Sequence, residues 1–328
     1  MKALQLTAPQ TLTPIMQADP ASPAAGEALV RIHAIGICGT DYSGYLGKMP
    51  FIEYPRILGH ELGVEVIAIG AGVSNVQPGD KCSVEPYLNC SHCHACQQGR
   101  TNCCETLHVL GVHCDGGMCE RLLLPANKLH ANNRLSYEQL ALVEMLGIGC
   151  HAVHRAQVTA ADTVLIIGAG PIGLTVLEFA RLAGAQVSIL ELNETRRAFA
   201  QKTWPDVHVL SAPPDEASAQ IVFDATGHAG SMGSAFRYAR FTGKVVYVGI
   251  TKEPVLLDGP LFHRHELTLL ASRNAVAADF TRILSLIEEG KINTNAWISH
   301  RAEFDELPSA MAEWIQPTSG VVKAVVRV

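Results

Sequence analysis

The sequence predicts an α/β protein in which a doubly wound parallel sheet is joined to a second, mainly β domain. Three observations lead to this prediction. A glycine-rich turn lies at mid-chain between an apolar strand pattern and a helix pattern. Strand and helix patterns alternate from residue 162 to about residue 272, whereas short strand patterns separated by turn residues fill the first part of the chain. A length of 328 residues agrees with about two domains.

Composition limits the kinds of partner. Hydrophobic residues make up 48% of the chain and charged residues 17%, which is typical of a globular protein. A net charge of −6 gives no reason to expect nucleic acid or an anionic membrane as a partner. The first residues alternate like a strand and contain no apolar signal core, and no apolar run is long enough to span a bilayer. We therefore expect a soluble, cytoplasmic protein.

The first part of the chain predicts short strands in a barrel-like rhythm, among them 27–32, 62–69 and 118–124. Cys38 follows the first of these on a glycine-flanked turn, where it is either an exposed metal ligand or a small buried apolar residue. His60 is either a structural histidine or a ligand. Its neighbour Glu61 favours the second interpretation, because adjacent imidazole and carboxylate groups can share a metal.

A loop near residue 100 carries regularly spaced cysteines. A cytosol keeps thiols reduced, so clustered cysteines among the ten in the chain indicate metal binding rather than disulfides. Four thiolates suit a closed tetrahedral zinc site, although an iron–sulfur cluster also uses thiolates. Cys103 competes for the fourth position, whereas His92 and His94 are bystanders. The predicted structural zinc ligands are Cys90, Cys93, Cys96 and Cys104.

Residues 137–154 predict an apolar helix in which Glu144 stands alone among apolar neighbours. A surface position is one interpretation. The other is a buried carboxylate that faces a metal, because an isolated buried charge must be paired.

The glycine-rich turn predicts a dinucleotide site. Gly168 allows a tight turn, Gly170 lets a pyrophosphate approach the helix N-terminus, and Gly173 lets the helix pack closely on the strand. Glu191, at the end of the next strand, can accept hydrogen bonds from a ribose diol. The candidate cofactor-binding residues are Gly168, Gly170, Pro171, Ile172, Gly173, Glu191 and Arg196.

Six parallel strands are predicted in this region, at 164–167, 187–190, 207–210, 220–225, 244–249 and 267–271. The short, polar segment 211–219 predicts an abbreviated crossover. An amphipathic helix is expected over 277–289. Residues 320–328 predict a strand that returns to the first domain.

Together these motifs resemble the zinc-dependent medium-chain alcohol dehydrogenases, and most closely their polyol and sugar-acid branch, which includes sorbitol, galactitol-phosphate, threonine and L-galactonate dehydrogenases. The resemblance implies a GroES-like barrel domain over 1–146 and 287–328, with its zinc lobe at 86–106, and a Rossmann domain over 147–286. The matching stretches are 36–41, 54–61, the four-cysteine lobe, 111–117, the glycine motif and 272–274.

The resemblance also implies a second, catalytic zinc. Cys38, His60 and a carboxylate would hold it, and Glu61 and Glu144 are the candidate carboxylates. Zinc would lower the pKa of the substrate hydroxyl, and the hydride would pass to nicotinamide. Thr40 would hydrogen-bond the reacting oxygen and pass its proton outward, and Arg273 would lie near the carboxylate and the substrate hydroxyls.

This chain departs from its relatives at two positions near those residues. Relatives often have a histidine where this chain has Ser43, so we expect either the proton exit path or one substrate contact to differ. Relatives also have proline where this chain has Met145, so the backbone beside Glu144 can differ.

From these observations the expected activity is NAD-dependent oxidation of a secondary alcohol of a polyol or sugar acid, with two zinc ions per chain. The resemblance alone implies a homo-oligomer, a dimer or tetramer. Glu191 would repel a 2′-phosphate, so NAD is expected over NADP even though Arg196 lies nearby. The alternatives are a dehydrogenase for simple alcohols or threonine, and a non-catalytic nucleotide-binding protein that keeps only the structural zinc.

Overall fold

The computed structural model describes residues 1–316 and 318–328. These residues form two units. The first unit comprises Met1–Glu144 and Val276–Val328, and the second comprises Met145–Ala275. The boundary expected after residue 286 lies inside a helix of the first unit. Within the described ranges, every helix is too short or too polar to cross a membrane.

Short strands dominate the amino-terminal part of the first unit, as the alternating patterns predict. These strands are β1 (Lys2–Ala8), β2 (Thr11–Met16), β3 (Glu27–Ile37), β4 (Arg56–Ile57), β5 (Glu61–Ile69), β6 (Lys81–Val84), β7 (Tyr87–Leu88), β8 (His108–Val109), β9 (Arg121–Pro125) and β10 (Leu129–Ala131). The helices are α1 (Gly39–Tyr45), α2 (His94–Gln97) and α3 (Tyr137–Ala141).

Helix α4 (Val143–Ala156) follows α3 after a break at Leu142, where the sequence pattern predicted one continuous helix. The start of α3 has a local cause. Ser136 accepts a hydrogen bond from the backbone of Gln139, whose side chain in turn accepts one from the backbone of Ser136. Glu144 therefore lies in the first turn of a separate helix.

The second unit is built on a six-stranded sheet in which all strands are parallel. Its strands are β11 (Thr163–Ile167), β12 (Gln186–Leu190), β13 (His208–Leu210), β14 (Ala219–Asp224), β15 (Ala239–Tyr247) and β16 (Thr268–Ala271). Its helices after α4 are α5 (Pro171–Leu182), α6 (Glu194–Thr203), α7 (Ala229–Ser234) and α8 (Gly259–Arg264). The strand order β13-β12-β11-β14-β15-β16 is that of a doubly wound dinucleotide-binding sheet, so the predicted fold class is confirmed.

One connection of this sheet has no helix. Strand β13 ends at Leu210 and β14 begins at Ala219, and residues 211–218 join them by turns and bends alone. The abbreviated crossover predicted from the sequence is therefore present. A cavity of about 280 Å³ lies against the sheet beside this segment, and Gln186, Ser188 and His208 are among its lining residues.

The chain then returns to the first unit. The carboxy-terminal elements are α9 (Ala277–Glu288), β17 (Ile298–Glu303), α10 (Leu307–Trp314) and β18 (Lys323–Arg327). Strand β18 pairs antiparallel with β3 and places Ala324 opposite Ile37. The main sheet of the first unit has the order β10-β6-β5-β3-β18-β17, and β9 also pairs with β3.

The core of the first unit consists of buried aliphatic side chains from β1, β3, β5 and β18 together with the face of α10. Strands β3 and β5 both contribute side chains to this core, which holds the end of β3 and the start of β5 in place. The candidate metal site is built at these two strand ends.

Candidate metal centre and dinucleotide site

Adjacent strand ends bring Cys38, His60 and Glu61 together. Strand β3 ends at Ile37, and Cys38 is the residue from which α1 begins. Strand β5 begins at Glu61 and pairs with β3 so that Glu61 lies opposite Gly36. One thiol, one imidazole nitrogen and one carboxylate oxygen from these three residues lie within 4.8 Å of one another. A zinc ion fits this set of sulfur, nitrogen and oxygen donors.

Asp41 fixes the geometry of this group from within the core. Its two carboxylate oxygens accept hydrogen bonds from the backbone of Cys38, at 2.9 Å, and of Gly59, at 3.3 Å. The imidazole Nδ1 of His60 lies 3.7 Å from Asp41. Burial raises the pKa of Asp41, and the opposing charge of His60 lowers it in part. One buried carboxylate thus ties the turn at Cys38 to the strand end at His60.

Lys323 holds Glu61. Its Nζ atom donates to the two carboxylate oxygens of Glu61 at 2.7 and 2.8 Å and to the carbonyl of Ile37 at 3.0 Å. Both side chains are buried, with 3% and 0% exposure. Gly36 makes room for the carboxylate, because a Cβ atom there would lie 2.1 Å from Glu61 Oε2. The sequence analysis missed Lys323, whose only signal is a lone lysine before the apolar residues 324–326.

Tyr87 holds Glu144. The tyrosine hydroxyl donates a hydrogen bond to Glu144 Oε1, and both residues are buried. Burial raises the pKa of Glu144, against the opposing effect of the His60 charge. The carboxylate is therefore the buried, paired group that one of the two sequence interpretations required. Its phenolic partner was not anticipated.

Thr40 is half-buried in the first turn of α1, two residues after Cys38. Ser43 is half-buried in the same helix. Tyr42 lies between them, and its buried hydroxyl has no hydrogen-bond partner among the described residues. Burial raises the pKa of that hydroxyl, and the negative charges of Asp41, Glu61 and Cys38 raise it further.

The four-cysteine lobe forms a separate cluster. One sulfur from each of Cys90, Cys93, Cys96 and Cys104 lies within 4.8 Å of the others. The sulfur of Cys104 accepts a hydrogen bond from the Cys90 backbone at 3.3 Å, and the sulfur of Cys90 accepts one from the Cys93 backbone at 3.3 Å. The backbone N–H groups of residues 92 and 93 lower the pKa of Cys90 to about 6. These contacts stabilise thiolates, the form that binds metal.

The other candidate ligands of the lobe lie outside the group of four sulfurs. Cys103 is half-buried in the single turn Thr101–Cys103. His92 is exposed, and its Nδ1 atom lies 2.7 Å from the carbonyl oxygen of Cys90. His94 is exposed at the start of α2. The arrangement of the cluster favours Cys104 over Cys103 as the fourth ligand.

The glycine-rich turn of the second unit joins β11 to α5. Gly168 has a φ of +99°, a conformation that other residues rarely adopt. A Cβ atom on Gly173 would lie 1.8 Å from the carbonyl oxygen of Gly168, so helix and turn touch there. By contrast, nothing lies within 4 Å of a Cβ built on Gly170, which leaves the helix N-terminus open for a phosphate. Pro171 and Ile172 form the first turn of α5.

Glu191 follows β12 at the same edge of the sheet and is 8% exposed. Its two oxygens each accept a backbone hydrogen bond at 2.8 Å, from Ala169 and from Asn193. Arg196 is exposed, and its guanidinium lies 3.9 Å from Glu191. Arg197 instead donates to the backbone carbonyl of Leu192 at 2.6 Å. The carboxylate is thus anchored at the end of β12, next to the glycine-rich turn.

Arg273 lies two residues after the end of β16, in an exposed position. Because all six strands are parallel, Arg273 lies at the carboxyl-end edge of the sheet, which is also the edge of Gly168 and Glu191. This is the edge at which ligands bind in open α/β sheets.

Two family models match the chain. Residues 24–134 match the alcohol dehydrogenase GroES-like domain. Residues 171–289 match the zinc-binding dehydrogenase family. The first match contains Cys38, His60, Glu61 and the four-cysteine lobe, and the second contains Pro171, Ile172, Gly173, Glu191 and Arg273.

Relatives match over nearly the whole chain. L-galactonate-5-dehydrogenase of Escherichia coli K12 is 36% identical over 315 residues, which are 93% of this chain and 92% of the relative. 2-Dehydro-3-deoxy-L-galactonate 5-dehydrogenase of Pseudoalteromonas atlantica is 32% identical over 309 residues, or 91% of each chain. The crystal structure of the short chain alcohol dehydrogenase RspB of Escherichia coli CFT073 with NADH superimposes with a TM-score of 0.93, at 28% identity, over 100% of this chain and 99% of the other.

Proposed function

The chain belongs to the zinc-dependent medium-chain alcohol dehydrogenases, and on that premise we propose that it oxidises a secondary hydroxyl of a polyol or sugar acid with NAD as the hydride acceptor. The family expected from the sequence motifs is thereby confirmed. The observation that carries the proposal is the grouping of half-buried Cys38 with buried His60 and Glu61 in a chain 36% identical to a sugar-acid dehydrogenase.

The first unit would then be the catalytic domain, with one zinc at Cys38, His60 and a carboxylate and a second zinc at the four-cysteine lobe. The lobe would stabilise a loop that has little core of its own. When bound at Cys38 and His60, zinc supplies Lewis acidity that favours ionisation of the substrate hydroxyl, and NAD takes up the hydride.

The protein side chains would orient the substrate and move its proton. Thr40 lies two residues after Cys38 in the first turn of α1, and its hydroxyl would accept the substrate proton and donate its own outward. The helix offers Ser43 at the position where a histidine is common among relatives, so the path beyond Thr40 would pass through a hydroxyl or water. Arg273 would bind a hydroxyl or carboxylate of the substrate, for which a planar guanidinium is well suited.

The second unit would bind NAD across the glycine-rich turn. The pyrophosphate would meet the open helix start at Gly170, and the ribose diol would donate to Glu191. Glu191 already carries two backbone hydrogen bonds that keep its charge in place. A 2′-phosphate brought to this anchored carboxylate would be repelled.

Two relatives are named L-galactonate-5-dehydrogenase and 2-dehydro-3-deoxy-L-galactonate 5-dehydrogenase. A sugar acid oxidised at carbon 5 is therefore our first candidate substrate. A simple alcohol or threonine is the rival within the enzyme class. A non-catalytic nucleotide-binding protein is the rival outside it.

The deciding experiment measures NADH formation by the purified full-length protein with L-galactonate, its enantiomer, L-arabinitol, sorbitol, L-threonine and ethanol, together with the zinc content. We expect the highest kcat/KM with a sugar acid or polyol and about two zinc ions per chain. A best rate with ethanol or threonine would support the rival enzyme. No turnover with any substrate and one zinc per chain would support the binding protein.

We also propose that the protein is a homo-oligomer, a dimer or tetramer. Strand β16 is the edge of the six-stranded sheet, and it pairs with β15 on one side. Leu269 on this strand is 41% exposed, and the segment before it exposes Ile250 at 78% and Leu256 at 84%. An exposed strand edge with apolar neighbours is covered in most proteins, and a second copy of this chain is the occupant we propose. Light scattering during gel filtration would test this.

We place the enzyme in the cytoplasm, because both proposed metal sites need reduced thiols and a reducing compartment supplies them. In the described part of the chain, none of the ten cysteines forms a disulfide.

A further inference from the structure

The cavity beside the helix-free connection has a floor made of three neighbouring strands of the second unit. Ser188 of β12 lies in register with Leu165 of β11 on one side and with His208 of β13 on the other. Gln186, two residues before Ser188, is paired with Thr163. Partners in register share one face of a sheet, as do residues two apart along a strand. The floor therefore presents an imidazole, an amide and hydroxyl groups around Leu165.

One wall of the cavity is a part of the connection held in an unusual conformation. Ala217 has a φ of +51°, which residues other than glycine rarely adopt. Its backbone N–H donates to the carbonyl of Arg237 at 2.8 Å, and its own carbonyl accepts a hydrogen bond from Nε of Arg240 at 3.3 Å. The next residue, Ser218, lines the cavity, and its buried hydroxyl has no hydrogen-bond partner among the described residues. Buried hydroxyls without a partner are rare, and a molecule bound in the cavity would supply the missing one.

The charge of the lining differs from that of the whole chain. The sequence has 31 aspartate and glutamate residues against 25 lysine and arginine residues. Among the described residues that line the cavity, however, none is acidic and Arg240 is basic, because Asp215 and Glu216 of the connection lie outside the lining. The bond to Ala217 uses only Nε of Arg240, and a guanidinium binds carboxylate or phosphate oxygens through paired N–H groups. The lining therefore favours an anion.

The cavity and the glycine-rich turn lie at different positions along the sheet. Thr163 and Gln186, the first residues of β11 and β12, line the cavity, whereas Gly168 and Glu191 directly follow the last residues of these strands. Five residues at about 3.3 Å each put Gly168 roughly 16 Å from Thr163 along the strand. A molecule in the cavity would therefore leave the glycine-rich turn open.

The cavity suits a small ligand, because its volume of about 280 Å³ is close to the lower limit for ligand pockets, about 300 Å³. We propose that it is a binding site for a small hydroxylated oxyanion, separate from the proposed dinucleotide and substrate sites. The carboxylate or phosphate group would bind Arg240, and the hydroxyl groups would bind Ser188 and Ser218. The bound molecule would join β11, β12 and β13 to the connection and so stabilise the second unit by mass action. This inference does not depend on the proposed function.

The test combines isothermal titration calorimetry with thermal unfolding of the full-length protein. The probes are L-malate, glycerol 3-phosphate and neutral glycerol, all at one ionic strength, with sodium chloride as the reference salt. Ser218→Ala removes the unpaired hydroxyl and leaves both hydrogen bonds of Ala217 in place, and Arg240→Gln removes the guanidinium. Arg237→Gln is the matched control, because it removes the same charge from an exposed arginine that does not line the cavity.

We expect one anion to bind per chain and to raise the Tm by roughly 3 °C at about ten times its Kd. Binding should be at least ~10-fold weaker in Arg240→Gln, the effect of losing a hydrogen bond to a charged group. It should also be weaker in Ser218→Ala but unchanged in Arg237→Gln and in the presence of saturating NAD. Glycerol should not bind. The tighter of the two anions shows whether the site prefers a carboxylate or a phosphate.

Absence of saturable binding by both anions would overturn the inference, as would equal stabilisation by glycerol or by sodium chloride alone. Anion binding that NAD abolishes would overturn it too, because the anion would then occupy the dinucleotide site. The same holds for binding that is lost in Arg273→Ala and retained in Arg240→Gln, which would assign the anion to the substrate site.

Discussion

Lys323 binds both carboxylate oxygens of Glu61 at 2.7 and 2.8 Å, although 262 positions separate the two residues in the chain. The contact exists because β18 pairs with β3, so that the lysine arrives beside the end of β3 and the start of β5. The candidate catalytic centre is thus completed by strand β18. Folding of the first unit and construction of the site depend on the same pairing.

Removing that lysine should destabilise the protein strongly. Lys323→Met would leave the carboxylate of Glu61 buried without its partner, which costs about 3–5 kcal/mol. The control is Lys2→Met, which breaks the exposed pair with Asp305 at 2.9 Å and should cost far less, because solvent screens an exposed ion pair. Urea unfolding of both variants measures the difference. Equal midpoints would show that the buried pair contributes no more than the exposed one.

In the lobe, Cys104→Ser should lose one metal ion per chain and lower the Tm, because Cys104 belongs to the four-sulfur group. Cys103→Ser changes the neighbouring residue, which lies outside that group, and should retain both metal content and Tm. Metal analysis and calorimetry on the two variants show which of the two cysteines is the fourth ligand. The reverse order of effects would assign the fourth ligand to Cys103.

The anchored carboxylate at the end of β12 should give strong preference for NAD. Glu191→Ala should weaken this preference by lowering kcat/KM with NAD and raising it with NADP. Glu194→Ala is the control, because Glu194 is an exposed carboxylate three residues later. Steady-state kinetics with both cofactors provide the measurement. Similar efficiency of the wild type with NAD and NADP would contradict the role of Glu191.

Arg273 is proposed to bind the substrate. Arg273→Ala should therefore lower kcat/KM by at least ~10-fold, because it removes a hydrogen bond to a charged group, and the zinc content should not change. Arg273→Lys should restore little of this, because lysine lacks the planar fork. Arg237→Ala changes an exposed arginine just before the amino end of strand β15, away from the carboxyl ends of the strands, and should have little effect. Glu144→Ala should also impair turnover. Normal kinetics in both Arg273 and Glu144 variants would remove them from the site.

Stability of the second unit should depend on the protonation of Glu178. Burial raises the pKa of Glu178 above 4.5, although Trp204 donates a hydrogen bond to it at 2.8 Å and lowers the pKa in part. A raised pKa in the folded state means that stability falls as the pH rises from 4.5 through the folded value. Glu178→Gln should therefore raise the Tm more at pH ~8 than at pH ~5. The exposed control Glu216→Gln should show no such trend.

Much of the fold and of the site follows from local patterns. The glycine spacing predicted β11, α5 and the position of Glu191, because the local backbone geometry of this turn requires residues without a side chain. The cysteine spacing predicted which sulfurs gather, since a short loop limits their reach. Strand β15 was predicted from residue 244 and begins at Ala239, because pairing of Ala239 with Ala219 of β14 extends it beyond its apolar run.

Tyr87 and Lys323 could not be predicted in the same way. Each meets its carboxylate partner only after strands distant in sequence have paired, and neither carries a motif of its own. A tyrosine after Glu85-Pro86 and a lysine before an apolar strand are ordinary sequence features. Their roles come from the register of β18 on β3 and from the contact of Tyr87 with Glu144, which sequence spacing does not encode.

The helix-free connection at 211–218 also changes which side chains the strands can carry on the adjacent face of the sheet. Strands of a parallel sheet are normally apolar on both faces because helices keep water off both. Here alternate residues on one face include Gln186 and Ser188 of β12 and His208 of β13, and all three line the cavity beside that connection. At that corner of the nucleotide-binding unit the strands can therefore carry polar side chains on the face beside the connection, next to aliphatic residues such as Leu165 and Leu210.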